Sequence, residues 1–231
     1  MIARLASLVA LLLAGPALAA DRTVTLGSFE RVRVQGPFQV VIAAARAPAA
    51  TVSGDAAAIE AVDVGVEGET LTVRPRLGRW EEQPRTAGGR ETVVTLGTDR
   101  LVAATVIGGG RIRAERMTGP RVDLSVTGAG AIAVADLRAD TANATVIGNG
   151  SISVAGRTGQ ARLLTNGSGT IDAGGLDAGD LVVRLDGPGA TTARARFTAK
   201  VTNTGLGQVA VAGSPKCTIV SNAGGPVACG R

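Results

Sequence analysis

A glycine motif returns along this chain in near-constant phase. It reads VIGGGRIRA from Val106, VTGAGAIAV from Val126, VIGNGSISV from Val146, TNGSGTIDA from Thr165 and LDGPGATTA from Leu185, with shorter forms NTGLGQVAV from Asn203 and SNAGGPVAC from Ser221. The second glycine of each Gly-x-Gly falls at Gly110, Gly130, Gly150, Gly169, Gly189 and Gly207, and Gly225 continues the series. The steps are 20, 20, 19, 20, 18 and 18 residues. Two positions further on stand Ile112, Ile132, Ile152, Ile171, Thr191, Val209 and Val227, so one site stays apolar through nearly the whole series. A fixed corner at a period near twenty, flanked by segments that alternate in polarity, is the signature of a solenoid. Within one unit Leu124 and Val126 are expected to point inward and Ser125 and Thr127 outward, before Gly128 to Gly130 turn the corner.

Equivalent strands then stack in parallel and each coil hydrogen-bonds to the next, which makes an all-β parallel β-helix with coils of about 18–20 residues. Seven coils at about 4.8 Å each predict a rod roughly 34 Å long from this half of the chain. An antiparallel sandwich also alternates, but has no reason to hold one glycine motif in phase over seven units. The corner glycines permit left-handed or tightly bent backbone. No helix follows them, so they do not read as a phosphate loop.

Composition fits a narrow core. The chain has 33 glycines, 2% aromatic residues, and neither histidine nor tyrosine. Val, Ile, Leu and Ala with a glycine at each corner can fill a thin coil, whereas a wide globular core needs rings. Lacking histidine, the chain can build no Ser-His-Asp or Cys-His machinery and no histidine-based metal site. No cofactor and no metal is expected. The basic excess is small and scattered, and Lys200 and Lys216 are its only lysines, so a solvated surface is the reading and nucleic acid is not an expected partner.

Residues 1–20, MIARLASLVALLLAGPALAA, order a charge (Arg4), an apolar run (Leu5 to Ala14), a break (Pro16) and small residues (Ala17, Ala19) as a secretory signal peptide does, with cleavage after Ala19 or Ala20. The apolar run is short for a bilayer of about 30 Å. No cysteine follows the cleavage region and no later apolar stretch approaches a span. The expectation is an exported protein, in the periplasm or at the cell surface, without a transmembrane segment after cleavage. Residues 21–100 then form a less regular N-terminal β-rich part with an irregular insertion near 76–91, and residues 101–231 the regular glycine-cornered coils.

The segment from Gly27 to Arg76 carries a further signal. Phe29 precedes alternating Val32 and Val34, then come Gly36 with Phe38, Val40 and Ile42, then VSGD at Val52 to Asp55, then Leu71-Thr72-Val73 after Gly68-Glu69. Together with the glycine repeats after Leu101, this order resembles the GIN-domain family, the putative auto-transporter adhesin head domain formerly known only as a domain of unknown function. The resemblance covers almost all of the mature chain. It implies a right-handed β-helix exported to the envelope with an adhesive or binding role, and it supplies no catalytic residues. Here the chain is richer in alanine and arginine than that pattern.

Candidate contact residues come from two places. The insertion RLGRWEEQPRTAGGRE holds the only tryptophan, Trp80, with Arg79 and Arg85 beside it, a composition that binding hot spots favour; the alternative is a loop that covers part of the solenoid with its ring. Arg111 and Arg113 flank Ile112 and should face outward at one end of a stack continued by Ala131 and Ala133, Ser151 and Ser153, Thr170 and Asp172, Ala190 and Thr192, and Gln208 and Ala210. Asn149, Asn166, Asn203 and Asn222 recur at differing offsets and read as turn residues that tolerate left-handed geometry. Cys217 and Cys229, both in the last coil of an exported chain, are expected to form a disulfide that fastens the terminal coil.

Many β-helices cleave acidic polysaccharides with carboxylates, so Asp136, Asp172, Asp180 and Asp186 need placing. Aligned to the corners, Asp172 and Asp186 fall on different sides of the coil, while Asp136 and Asp180 are expected in connecting turns. The expected function is that of an exported, non-catalytic β-helical envelope protein with an adhesin-like or structural role. Envelope polysaccharide or another envelope protein is its expected partner. The alternative is a carbohydrate-active enzyme, which a close carboxylate pair in a groove would favour. A coil left open at the end of the rod is a further place for docking.

Overall fold

The structure, a computed structural model, describes residues 20–45, 47–76, 92–222 and 224–230. The described chain is nearly all β and winds into a β-solenoid of about six turns. Its N-terminal part contains β1 (Ala20–Val24), β2 (Arg31–Gln35), β3 (Gln39–Ala44), β4 (Ala49–Gly54), the short helix α1 (Ala56–Glu60), β5 (Val62–Glu67), β6 (Thr70–Pro75), β7 (Val93–Thr98) and β8 (Ala103–Gly108). Long strands that bend around the coil follow: β9 (Arg111–Gly128), β10 (Ala131–Gly148), β11 (Ser151–Asn166), β12 (Thr170–Asp186) and β13 (Ala190–Asn203). The last coil is split into β14 (Gln208–Gly213), β15 (Lys216–Ser221) and β16 (Val227–Cys229).

From β9 to β16 every pairing is parallel, in the register the glycine alignment requires. Ile112, Ile132, Ile152 and Ile171 lie on consecutive coils directly above one another, followed by Thr191 and Val209. All four isoleucines are at most 1% exposed. A second inward stack runs Val106, Val126, Val146, Thr165, Leu185, Asn203 on the opposite wall. Burying such aliphatic ladders drives the coil to close, each side chain contributing about 1.5–3 kcal/mol when fully buried. Thr165 and Thr191 each replace an aliphatic residue in facing stacks, and their hydroxyls meet at 3.1 Å inside the core. Two polar groups are thus buried without either losing a partner.

The two glycines of each corner do different work. From Gly108 to Gly187 the first takes positive φ, as at Gly148 (φ 105°). The second is needed for close approach: a Cβ on Gly150 would lie 2.6 Å from the Gly130 carbonyl oxygen and would collide with Val126 Cγ1. Side chains are excluded there because coils stack corner on corner.

Coil length governs the bulges. The coil opened by Gly150 is one residue shorter than its neighbours, and β11 accordingly sets one residue against two of β10 between Val134 and Leu137 and against two of β12 between Ser153 and Ala155. The shorter coil of β13 has no residues opposite 174–176 of β12, and further on it sets two, Arg196 and Phe197, against Gly179 alone. Length differences are therefore absorbed at two places, the corner beyond the isoleucine ladder and the position of Gly179.

The N-terminal end departs from the parallel stacking of the later coils. There β7, β4 and β1 pair antiparallel, and β5 and β6 form an antiparallel pair. With Ile59 of α1 buried, these elements close that end of the rod. Asp136 and Asp180 lie in β10 and β12 along the short third side of the coil, not in turns. The recurring asparagines are not left-handed either, because among the described residues every positive φ belongs to glycine. Asn203 instead works with its side chain, donating from Nδ2 to the Gly207 carbonyl at 2.9 Å and accepting from the Gly205 N–H at 3.1 Å.

Candidate functional site

Three outward surfaces are available, one per side of the coil. The first lies outside the isoleucine ladder. Arg111 and Arg113 are both exposed on it, and the strand register continues them through Ala131 and Ala133, Ser151 and Ser153, Thr170 and Asp172, and Ala190 and Thr192. In the other direction it extends to Gln39 and Val41 of β3. Where this face meets the bulged corner, a shallow groove of about 530 Å³ opens over Val41, Ala133, Ala135, Ala155 and Gly175, with Arg113 and Glu115 toward one end and Asp172 toward the other. Small side chains and the bulges create the concavity. Coil lengths of 20, 19 and 20 residues carried that signal in the sequence, but their meaning depends on where each coil absorbs the difference.

The groove contains two carboxylates, so acid–base chemistry has to be weighed. Asp172 stands three strands from Arg113 in one cross-strand column, about 14 Å away, and Glu115 lies a further two residues along β9. Glycosidase carboxylates work at separations of about 5–9.5 Å. Each carboxylate is also engaged by the scaffold. Asp172 accepts from the Gly174 N–H at 3.1 Å and the Thr192 hydroxyl at 2.8 Å, and Glu115 accepts from the Ala44 N–H at 3.3 Å. Asp172 thereby pins the bulge beside it. Asp186 sits on the opposite face, in register with Asn166.

The short third side holds a cleft of about 550 Å³ lined by Arg138, Arg157, Arg196 and Asp140. Its charges largely cancel. Asp136 pairs with Arg138 at 3.1 Å and Arg116 at 3.4 Å, and Arg196 pairs with Asp177 at 3.5 Å while lying 5.1 Å from the centre of the exposed Phe197 ring. The hydrogen bond from Arg138, with its charge and that of Arg116, holds the Asp136 carboxyl below its ordinary value against a smaller opposing effect of burial. Phe197 is an exposed aromatic that the coil alignment did not single out; it stands in a bulge where β13 sets two residues, Arg196 and Phe197, against Gly179 of β12.

The second outward face, across the core from the first, comprises β2, β6, β8 and the second halves of β9 to β13. Thr105, Ser125 and Thr145 form a hydroxyl row on it, and Asn143 donates to Asp123 at 2.7 Å. Asp123 is also paired with Arg121 at 3.0 Å.

Trp80, Arg79 and Arg85 lie outside the described residues. Cys217 of β15 and Cys229 of β16 are joined by a disulfide across the last coil. Among the described residues no group of three or more potential metal ligands is present, and no helix is long and apolar enough to cross a membrane.

Among solved structures, the chain is similar to a putative adhesin from Bacteroides fragilis, with a TM-score of 0.83 and 18% identity over 92% of this chain and 97% of that one. A putative lipid binding protein from Parabacteroides distasonis gives 0.73 at 16% identity over 94% and 98%. A putative adhesin from the same species gives 0.70 at 20% over 93% and 98%. At these identities the likeness is one of fold. No curated protein matches the chain. The family described as "Putative auto-transporter adhesin, head GIN domain" (DUF2807) matches residues 28–215, and by that match over most of its length the chain belongs to the GIN-domain family.

Proposed function

We propose that this protein is an exported, non-catalytic envelope component that acts as an adhesin-like binding head, presenting the outward faces of its solenoid to envelope or extracellular polysaccharide. One observation carries the reading. The coil builds long, flat, regular sheet faces, and the carboxylates in the groove are too far apart and too firmly engaged to act as an acid–base pair. Such a face offers repeated contacts along a line rather than one reaction centre. Arg111 and Arg113, at one end of the groove, are the contacts proposed on the first face. Trp80, Arg79 and Arg85 are proposed to add to them from the insertion. Export is supported by the family and by the disulfide, which persists in oxidising compartments.

The test is binding of the oxidised mature protein to neutral and acidic polysaccharides at low and physiological salt, with chain-length analysis of the recovered polymer. Binding with chain length preserved supports the reading. Shortened chains would replace it with the enzyme, and no binding to any polysaccharide would overturn it.

A further inference from the structure

On the second outward face, three cations converge without an acidic partner. Arg162 of β11, Val182 of β12 and Lys200 of β13 stand in one cross-strand column, and Arg184 follows Val182 by two residues on the same face. All three cations are exposed. Among the described residues none of them makes an ion pair or a side-chain hydrogen bond. Two acids flank them along β12, Asp180 two residues before Val182 and Asp186 two residues after Arg184; neither pairs with them, Asp180 accepting from the Thr198 hydroxyl, and Asp123 is already held by Arg121 and Asn143. The third side differs, since Arg116, Arg138 and Arg196 are matched there by Asp136 and Asp177. The face around β11 to β15 therefore carries an excess of unpaired positive charge over Asp180 and Asp186, since the exposed Lys216, in register with Thr198, adds a fourth cation beside Lys200.

The spacing is set by the fold. Arg162 and Lys200 are two strands apart, about 10 Å along the axis, and Arg184 stands about 7 Å to the side. Val182, 36% exposed, fills the gap between Arg162 and Lys200 with an aliphatic surface. On one side the track continues through Asn143 and Thr145, and on the other through Thr202 and Thr218. Cations at strand-spacing intervals, an aliphatic saddle and flanking hydroxyl and amide groups suit a polymer that repeats an anion at a regular interval, shows an apolar ring face and offers hydroxyls. No exposed aromatic is in this column to stack a nucleobase.

We propose that Arg162, Arg184 and Lys200 form the contact site for a linear acidic polysaccharide lying along the solenoid axis on this face. The proposal rests on the polysaccharide-binding reading above and names both its face and its ligand class. Holding like charges together without a counter-ion is mildly unfavourable in the free protein, so their neutralisation favours binding and makes it salt-sensitive.

The experiment titrates the oxidised mature chain with polygalacturonate, dextran and phosphatidylglycerol vesicles. It compares the wild type with an R162Q/R184Q/K200Q variant and with a charge-matched R116Q/R138Q/R157Q control on the third side. Because the three proposed contacts are exposed and unpaired, their substitution should leave the urea midpoint unchanged, which separates loss of binding from loss of fold. The expected result is that polygalacturonate affinity falls about tenfold in the first variant and by less than about threefold in the control, with weaker binding to dextran. Equal losses in both variants, or unchanged affinity in the first, would overturn this site while leaving polysaccharide binding intact. Binding to the vesicles but to neither polymer would overturn both this site and the reading on which it rests.

Discussion

Replacing Gly150 by alanine should be far more damaging than its single added methyl group suggests. Its Cβ would lie 2.6 Å from the carbonyl oxygen of Gly130 and against Val126 Cγ1, so the obstacle is backbone of the preceding coil, which cannot swing aside. The same corner holds the bonds from Ser151 N–H to Gly130 (2.9 Å) and from Thr170 N–H to Gly150 (3.0 Å). Making room means lengthening them on both sides of a central coil. Overpacking costs about 1–3 kcal/mol, and one weakened buried hydrogen bond about 1 kcal/mol more. A destabilisation of about 2–4 kcal/mol follows from the two together. Gly109 is the internal control, because a Cβ there would meet nothing within 4 Å and its φ is not positive. Gly109→Ala should change stability by less than about 1 kcal/mol, with the reduced freedom of the unfolded chain acting in its favour. Urea unfolding of the oxidised mature protein, followed by far-ultraviolet circular dichroism, measures both. Coincident midpoints for the two variants would refute the corner-on-corner packing argument.

Other consequences are equally specific. Thr165→Val alone should cost about 1–3 kcal/mol by stranding the Thr191 hydroxyl, while the Thr165→Val/Thr191→Val double variant should recover most of it in a thermal-unfolding cycle. Removing the disulfide with Cys217→Ser/Cys229→Ser should cost up to about 3 kcal/mol, and hydrogen exchange should show β15 and β16 losing protection before β9 to β12. Since Asp136 has a carboxyl pKa lowered on folding, its pairing with Arg138 and Arg116 stabilises above the ordinary carboxylate value of the unfolded chain and is lost as pH falls through the lowered folded value. Asp136→Asn should therefore be slightly less stable than the wild type at neutral pH, and the two should converge in strong acid; a gap that widened in acid would contradict this.

The repeating half of the fold was legible because its constraint is periodic. The glycine corners and Ile112, Ile132, Ile152 and Ile171 fix both the inward direction and the register, and Leu124 and Val126 are buried as their alternation requires. Legibility faded where the chain stops repeating. The strands β1, β4 and β7 alternate like any others, and nothing local distinguishes their antiparallel pairing from another coil. Ile219 marks the other end: it stacks on fully buried Val201 yet remains 45% exposed, since no further coil covers it. Site residues were harder still. Arg111 and Arg113 stood out because they flank the repeat, whereas Arg162, Arg184 and Lys200 come from three different coils and meet only through cross-strand register. Each looks like an isolated surface charge in the sequence.

That convergence offers the most direct test of the claim that the chain works through an outward sheet face. Lys200 and Lys216 are the only lysines, and they are neighbours on this face: Lys216 is in register with Thr198, one strand over and two residues along from Lys200. An acidic oligosaccharide carrying an aldehyde, allowed to bind at low salt and then fixed by borohydride reduction, reports which amine it lay beside through the mass of the labelled peptide. The account predicts labelling of Lys200 that excess unmodified polygalacturonate suppresses and that an R162Q/R184Q variant reduces. Labelling of Lys200 that persists undiminished in R162Q/R184Q, or that the competitor leaves unchanged, would contradict it.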